Sequence, residues 1–348
     1  MLRTMLFFFA ILATVSPPPA FSSPVGTVTK FGGDVYFRAK DKTPYQLVKS
    51  ALDVSEGWSV KTGKNGWLEL VLIDKSRFTI ANNSELELSR LQMDTVRRDG
   101  LFTLTRGKLR VSVSKSLGLK SSFQIKGPAV VAGVKGTEFL MLSEGPASVF
   151  FGNEGSVAIS GNDDKDKTLL PRYMTQTTRG YTPIDPVAVE PETPIAVAKA
   201  AFESVTGTAP PEEWTASDNL PVIIARWNIG YGHYLADSGK YEQALQVFQI
   251  ALDLAKTVEI HCDARLERSA VYSRFLRNNE AALAENQLIL DEYPNAVQAE
   301  SALFNTGQIL FELSFKERAK ERFSEYLQKY PHGKHKSNVE TLLGILNQ

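Results

Sequence analysis

The chain is 348 residues long, 43% hydrophobic and 22% charged, with 39 Lys/Arg against 39 Asp/Glu. That length exceeds one ordinary core and suits two domains. A formal charge of zero, with no Lys/Arg cluster interleaved with aromatics, argues against nucleic acid as a partner, and the single cysteine, Cys262, excludes an internal disulfide.

The chain opens on a segment that reads as a signal peptide, residues 1–22. Arg3 precedes an apolar core, Met5 to Val15, whose eleven residues are too few to cross a bilayer as a helix. Pro17-Pro18-Pro19 ends the core, and Ala20 and Ser22 are small residues at cleavage spacing. The mature chain is expected to begin near Ser23, periplasmic and without a membrane span; an uncleaved anchor is the alternative.

Residues 23–160 read as strand after strand. Leu68, Leu70 and Leu72 alternate with Glu69 and Val71, Phe78 and Ile80 flank Thr79, and Leu109, Val111 and Val113 continue the period of two of half-buried strands. Turn signals separate the runs, among them Asn82-Asn83, Asp99-Gly100 and Gly127-Pro128. A short pattern recurs at Gly33-Asp34-Val35-Tyr36-Phe37, Gly107-Lys108-Leu109-Arg110-Val111 and Gly155-Ser156-Val157-Ala158-Ile159, each a glycine entering a strand. Unequal separations argue against a regular solenoid. The expected fold here is all-β, a sandwich or an irregular β-helix. This stretch is mildly basic, with 19 Lys/Arg against 13 Asp/Glu over residues 25–160.

The densest signature of this stretch is Gly133-Val134-Lys135-Gly136-Thr137-Glu138-Phe139. Upstream lie Gly57-Trp58-Ser59-Val60-Lys61-Thr62-Gly63 and Leu70-Val71-Leu72-Ile73-Asp74. In this order the motifs resemble a FecR-type domain. Lys135 stands where that family usually has arginine, so the planar fork that would hold a carboxylate is replaced by a point charge. Gly133, Val134, Lys135, Gly136, Thr137 and Phe139 are therefore expected to be a folding signature before a site. The resemblance implies an envelope role, which in some members is signalling to a sigma factor.

Residues 161–219 are expected to be an acidic connector, with 5 Lys/Arg against 10 Asp/Glu. Pro183, Pro186, Pro191 and Pro194 favour an extended chain, Ile195 to Val205 suits a short helix, and Pro210-Pro211 breaks what precedes.

From residue 220 the pattern turns helical and repeats without gaps. Gly232, Ala270 and Gly307 step by 38 and 37, and Ala244, Ala282 and Ala319 repeat those steps. Small residues where paired helices touch, followed by Phe248 or Phe323, resemble the tetratricopeptide repeat. Units at 225–262, 263–299 and 300–336, with a closing helix over 338–347, form the expected α-helical solenoid. The leading aromatic is replaced at Asn228, Leu266 and Leu303, and Asn286 stands at an apolar position, which makes the middle repeat the weakest match.

No catalytic constellation is legible. The four histidines, His233, His261, His332 and His335, all lie in the helical region. His261-Cys262-Asp263 are helix neighbours that face different directions, and His332 and His335 are too few for a metal. No enzyme, metal or cofactor is expected. A binding surface is: Arg226, His233, Asp237, Glu267, Arg274, Phe304, Gln308, Phe311 and Glu312 would line a concave groove suited to an envelope protein or peptide. Trp58 and Trp67 would stack on peptidoglycan or another glycan in the alternative. The overall expectation is a non-enzymatic adaptor of the bacterial envelope, with a glycan-binding module or a sensory component as alternatives.

Overall fold

The long strand β9 (Arg97–Ser112) belongs to two sheets at once. The computed structural model describes residues 24–39, 43–93, 97–115, 120–134, 136–161, 166–207 and 219–348. Their 17 strands form one hydrogen-bonded network, which β9 divides into two layers. The first layer runs β4 (Leu52–Val54), β1 (Gly26–Gly32), β6 (Trp67–Leu72), β7 (Arg77–Ile80), the end of β9, β12 (Glu138–Glu144), β13 (Ala147–Glu154), β16 (Tyr173–Thr177) and β17 (Val187–Ala188). The second runs β3 (Gln46–Leu47), β2 (Val35–Arg38), β5 (Ser59–Thr62), β8 (Glu85–Met93), the start of β9, β10 (Lys120–Lys126), β11 (Val131–Val134), β14 (Val157–Ser160) and β15 (Asp166–Leu169). Among the described residues only β9 and β10 pair in parallel.

Alternation along the strands sends one side chain in two between the layers. Val28, Leu70, Phe78 and Leu109 from one layer meet Val35, Leu86, Leu104 and Ile125 from the other, all fully buried. Each such side chain contributes about 1.5–3 kcal/mol of transfer free energy, so the sandwich is held chiefly by this filling.

The recurring glycine is a turn device. Gly33, Gly107 and Gly155 adopt φ of +63°, +107° and +72°, a region that costs a side-chain-bearing residue dearly. Gly107 carries β9 from one layer to the other: β8 pairs with it up to Arg106 and β7 from Leu109 onward.

The extended tether expected over residues 161–219 needs correction. β15, β16 and β17 lie within it and extend both layers. Helix α1 (Pro194–Val205) begins where the Thr193 hydroxyl accepts from the Ala196 amide at 3.3 Å, with Pro194 opening the first turn. It lays Ile195, Ala198, Phe202 and Val205 on the outer face of the first layer, against Leu140, Leu142, Val149 and Phe151. Phe151 and Phe202 meet edge to face with centroids 6.2 Å apart. β12 and β13 are therefore buried on both faces, which explains their near-continuous apolar runs.

Seven helices follow: α2 (Leu220–Asp237), α3 (Tyr241–Leu254), α4 (Val258–Ala270), α5 (Asn279–Glu292), α6 (Val297–Glu312), α7 (Lys316–Lys329) and α8 (Lys336–Leu346). A π turn, Val271–Phe275, prolongs α4. The helix pairs close as the small–large pattern predicts. A Cβ on Gly232 would lie 2.5 Å from the Phe248 ring, and one on Gly307 would lie 2.5 Å from the Phe323 ring. The hairpin turns repeat too: Gly239, Arg277 and Ser314, spaced as the repeats are, all have positive φ, at +77°, +54° and +62°.

Both atypical asparagines make buried hydrogen bonds, although the Asn286 Oδ1 has no partner among the described residues. Asn286 donates to the Ser269 hydroxyl at 2.7 Å and to the Ala282 carbonyl at 3.0 Å, so the middle repeat closes through a buried polar contact. Asn228 does not face a repeat neighbour; it pairs with Gln176 of β16. Leu220, Ile224 and Ala225 of α2 and Ile250 and Leu254 of α3 join the apolar cluster beneath α1, so sandwich and repeats share a core.

Candidate functional site

The helical region gathers some of the expected groove residues and disperses others. On α2, Arg226 bonds Glu259 through two contacts, 3.1 and 2.8 Å. His233 lies 3.2 Å from Glu267 on α4 and 3.5 Å from Asp237, and the Glu267 hydrogen bond and charge raise its pKa. The Arg226–Glu259 and His233–Glu267 pairs tie the first helix of one repeat to the first helix of the next.

Phe304 is not in the groove. It is 8% exposed, stacks on His335 at 4.1 Å and packs on Phe323 and Tyr326 in the third repeat's core. Phe311 is half-buried against the same core. The α6 residues that line the cleft are instead Asn305, Gln308, Ile309 and Glu312, at the i, i+3, i+4, i+7 spacing of one helix face, with Ile309 buried at its floor.

That stripe forms one wall of a concave cleft. The other wall is Ala270, Ser273 and Arg274 with Arg277 at its end, all on α4, its π turn and the turn that follows. Irregular turns of this kind are frequent at functional sites. Gln308 donates to Glu312 at 3.1 Å. The reading by sequence missed Arg277 and Asn305. Shifting the α6 stripe by one residue recovers Asn305; Arg277 lies in a turn, where helical periodicity carries no signal.

The other nominal sites resolve into structure. Cys262 is fully buried, and burial pushes its thiol up to about 11. His261 bonds the Tyr293 hydroxyl at 3.0 Å and the Leu252 carbonyl at 3.1 Å, while Asp263 accepts from Gln298 at 2.8 Å. The three neighbours therefore point to three different places. Among the described residues no group of three His, Cys, Asp or Glu side chains could hold a metal ion, and no helix is long and apolar enough to cross a membrane.

In the sandwich, Val134, Thr137 and Phe139 of the signature are buried. Gly136 turns the chain at φ +62°, and Gly133 lies in β11 between β10 and β14. Lys135 and the apolar segment at residues 5–15 lie outside the described residues. Trp58 is half-buried, with one face stacked on Phe37 at 5.4 Å. Trp67 packs its indole against Gly32, where a Cβ would come within 2.4 Å. Nearby, Tyr45 lies under the Arg38 guanidinium and the Lys61 ammonium, 4.9 and 5.6 Å from the ring centre. Its hydroxyl bonds Glu85 at 2.8 Å, and burial with that contact pushes it up to about 12.

The chain thus joins a two-layer β-sandwich to stacked helix pairs of the tetratricopeptide-like fold. Within it, residues 59–158 form a FecR domain, matching the family model described as FecR protein. No curated protein matches the chain. Among solved structures, a Parabacteroides distasonis protein provisionally described as an anti-sigma factor is 14% identical over 42% of this chain, with a TM-score of 0.35. The match spans 64% of that protein's length, less than two thirds. The Hsp90 co-chaperone Cns1 of Saccharomyces cerevisiae is 19% identical over 36% of this chain and 39% of its own, TM-score 0.32. The second TPR domain of human RPAP3, solved with an HSP70 peptide, is 18% identical over 37% of this chain and 98% of its own, TM-score 0.30.

Proposed function

We propose that this chain is an exported, non-enzymatic adaptor of a bacterial envelope, whose helical cleft binds a segment of a partner protein. The observation that carries the reading is the open cleft between α4 and α6, walled by Arg274, Arg277, Asn305, Gln308 and Glu312. Concave surfaces of stacked helix pairs suit extended chains, because successive helices offer polar groups along the length of a peptide. The apolar segment Met5 to Val15 supports export, and the FecR domain supports an envelope setting.

The test is capture from envelope extract on the immobilised full chain, beside a variant with Asn305→Ala and Gln308→Ala. A partner retained by the parent and lost by the variant supports the reading. Equal retention by both removes the cleft from it.

A second reading, a component of FecR-type signalling, is favoured by the match over residues 59–158. It predicts that the captured partner is itself membrane-anchored; capture of soluble or wall-bound proteins alone counts against it.

A further inference from the structure

We infer that the sandwich carries a binding site of its own, independent of the cleft between α4 and α6: a polar recess on the outer face of the first layer that takes a neutral, hydroxyl-rich sugar. The recess is floored by β6, β7, β9 and β12 and bounded at one end by Thr206 and Gly207, where α1 stops. Its volume of about 530 Å³ is common among small-molecule sites. Strand register sets the floor. Glu69, Thr79 and Arg110 lie side by side across three strands, and Arg77, Ser112 and Glu138 form the next row. Neither Trp58 nor Trp67 lines it.

Thr79 is only 6% exposed, yet it lines the recess and its hydroxyl has no hydrogen-bond partner among the described residues. A polar group so shielded ordinarily has one. The floor charges, by contrast, are matched. Glu69 accepts from Thr29 at 3.0 Å and lies 3.6 and 3.5 Å from Lys30 and Arg77. Glu138 accepts from Arg110 at 3.1 and 2.6 Å and from Asn153 at 3.1 Å, all on Oε1. An anion on this floor would meet two carboxylates and an ammonium two guanidinium groups, so a charged ligand gains little. What stays unengaged is directional: the Thr79 and Ser112 hydroxyls, the Glu138 Oε2, the Arg77 amino groups and the Arg110 Nη1. Lys75, in the turn between β6 and β7, has no acidic partner among the described residues and adds a donor at the rim. Arginine and lysine only donate, a carboxylate only accepts, and a hydroxyl does both. Adjacent sugar hydroxyls, each donor and acceptor, satisfy all three kinds together.

Saturation-transfer NMR on the full chain tests this with N-acetylglucosamine and cellobiose as ligands, and with alanine (a zwitterion) and inorganic phosphate as competitors. At least one sugar should give a signal that neither competitor displaces at equal concentration. Thr79→Val keeps the branched shape and strand preference of the side chain and removes only the hydroxyl. That hydroxyl bonds no other described residue, so the variant should melt at the parental temperature. It should bind the sugar roughly three- to tenfold more weakly, the loss expected for one hydrogen bond. Ser112→Ala should weaken binding similarly, again without lowering the melting temperature. The absence of any sugar signal, or equal signals from the parent and both variants, overturns the site. Displacement by phosphate or by alanine overturns the neutral-sugar assignment.

Discussion

Gln176 and Asn228 hold each other through two reciprocal amide hydrogen bonds, 2.5 and 3.1 Å long, with neither residue exposed. One sits on the sandwich strand β16 and the other on α2, at the position where a large residue usually opens the repeat.

A buried amide stripped of its partner keeps its desolvation cost, so Asn228→Leu is expected to cost about 2 kcal/mol, and Gln176→Leu the same. The double variant should recover much of that loss, since removing both groups leaves no orphan. Urea titration of the four proteins reads the coupling; strictly additive losses would show that the pair does not act as a unit.

Gly107→Ala is expected to destabilise by about 3 kcal/mol, from the left-handed backbone together with overpacking. At φ +107° a Cβ would come within 2.2 Å of the Ser84 hydroxyl. That hydroxyl also accepts from the Lys108 amide at 2.9 Å. Gly57 provides the control, since its φ is +79° with nothing within 4 Å of the added carbon. Gly57→Ala should therefore show the backbone cost alone. Thermal unfolding of the two variants separates the terms, and equal losses would deny the clash.

His335 should make stability fall on mild acidification. Burial against Phe304 and Tyr326, followed by the nearby Lys334 charge, holds its pKa below 6.5, although Glu300 pulls the other way. The unfolded chain takes up that proton near pH ~6.5 while the folded one resists, so stability is lost as pH falls below that point towards the folded pKa. His233 acts in the opposite sense: its raised pKa gives a contribution present below the unfolded value and lost as pH rises through the folded one. Comparing parent with His335→Phe at pH 7.5 and 5.5 isolates the first effect; the parent should lose more melting temperature on acidification than the variant. Identical pH responses would contradict the assignment.

The helical repeats were legible because their requirements are local. Gly232 and Gly307 must be small where Phe248 and Phe323 cross, and that constraint is written at a fixed spacing. β15, β16 and β17 were not legible. They are two to five residues long, too short to display a period of two, and β16 pairs with β13 past the intervening β14 and β15. Pro183 and Pro186 also suggested a tether, yet they fall between strands and interrupt no ladder. Glu69 alternates with leucines as an outward residue should, but it is 3% exposed because Thr29, Lys30 and Arg77 close over it. In the cleft, Arg274, Gln308 and Glu312 were found from the stripe, whereas Phe304 was misplaced. A helix position one residue away lies about 100° around the axis, enough to exchange groove for core.

The packing of Phe202 on Phe151 has a mechanical consequence. With apolar side chains continuous from layered strands to stacked hairpins, the junction has no swivel, because relative motion is the default only where such contacts are small and polar. The helical repeats are thus held at a set bearing from residues 59–158. The molecule works as a bracket, and its two ends cannot be repositioned independently without first prising Phe202 out.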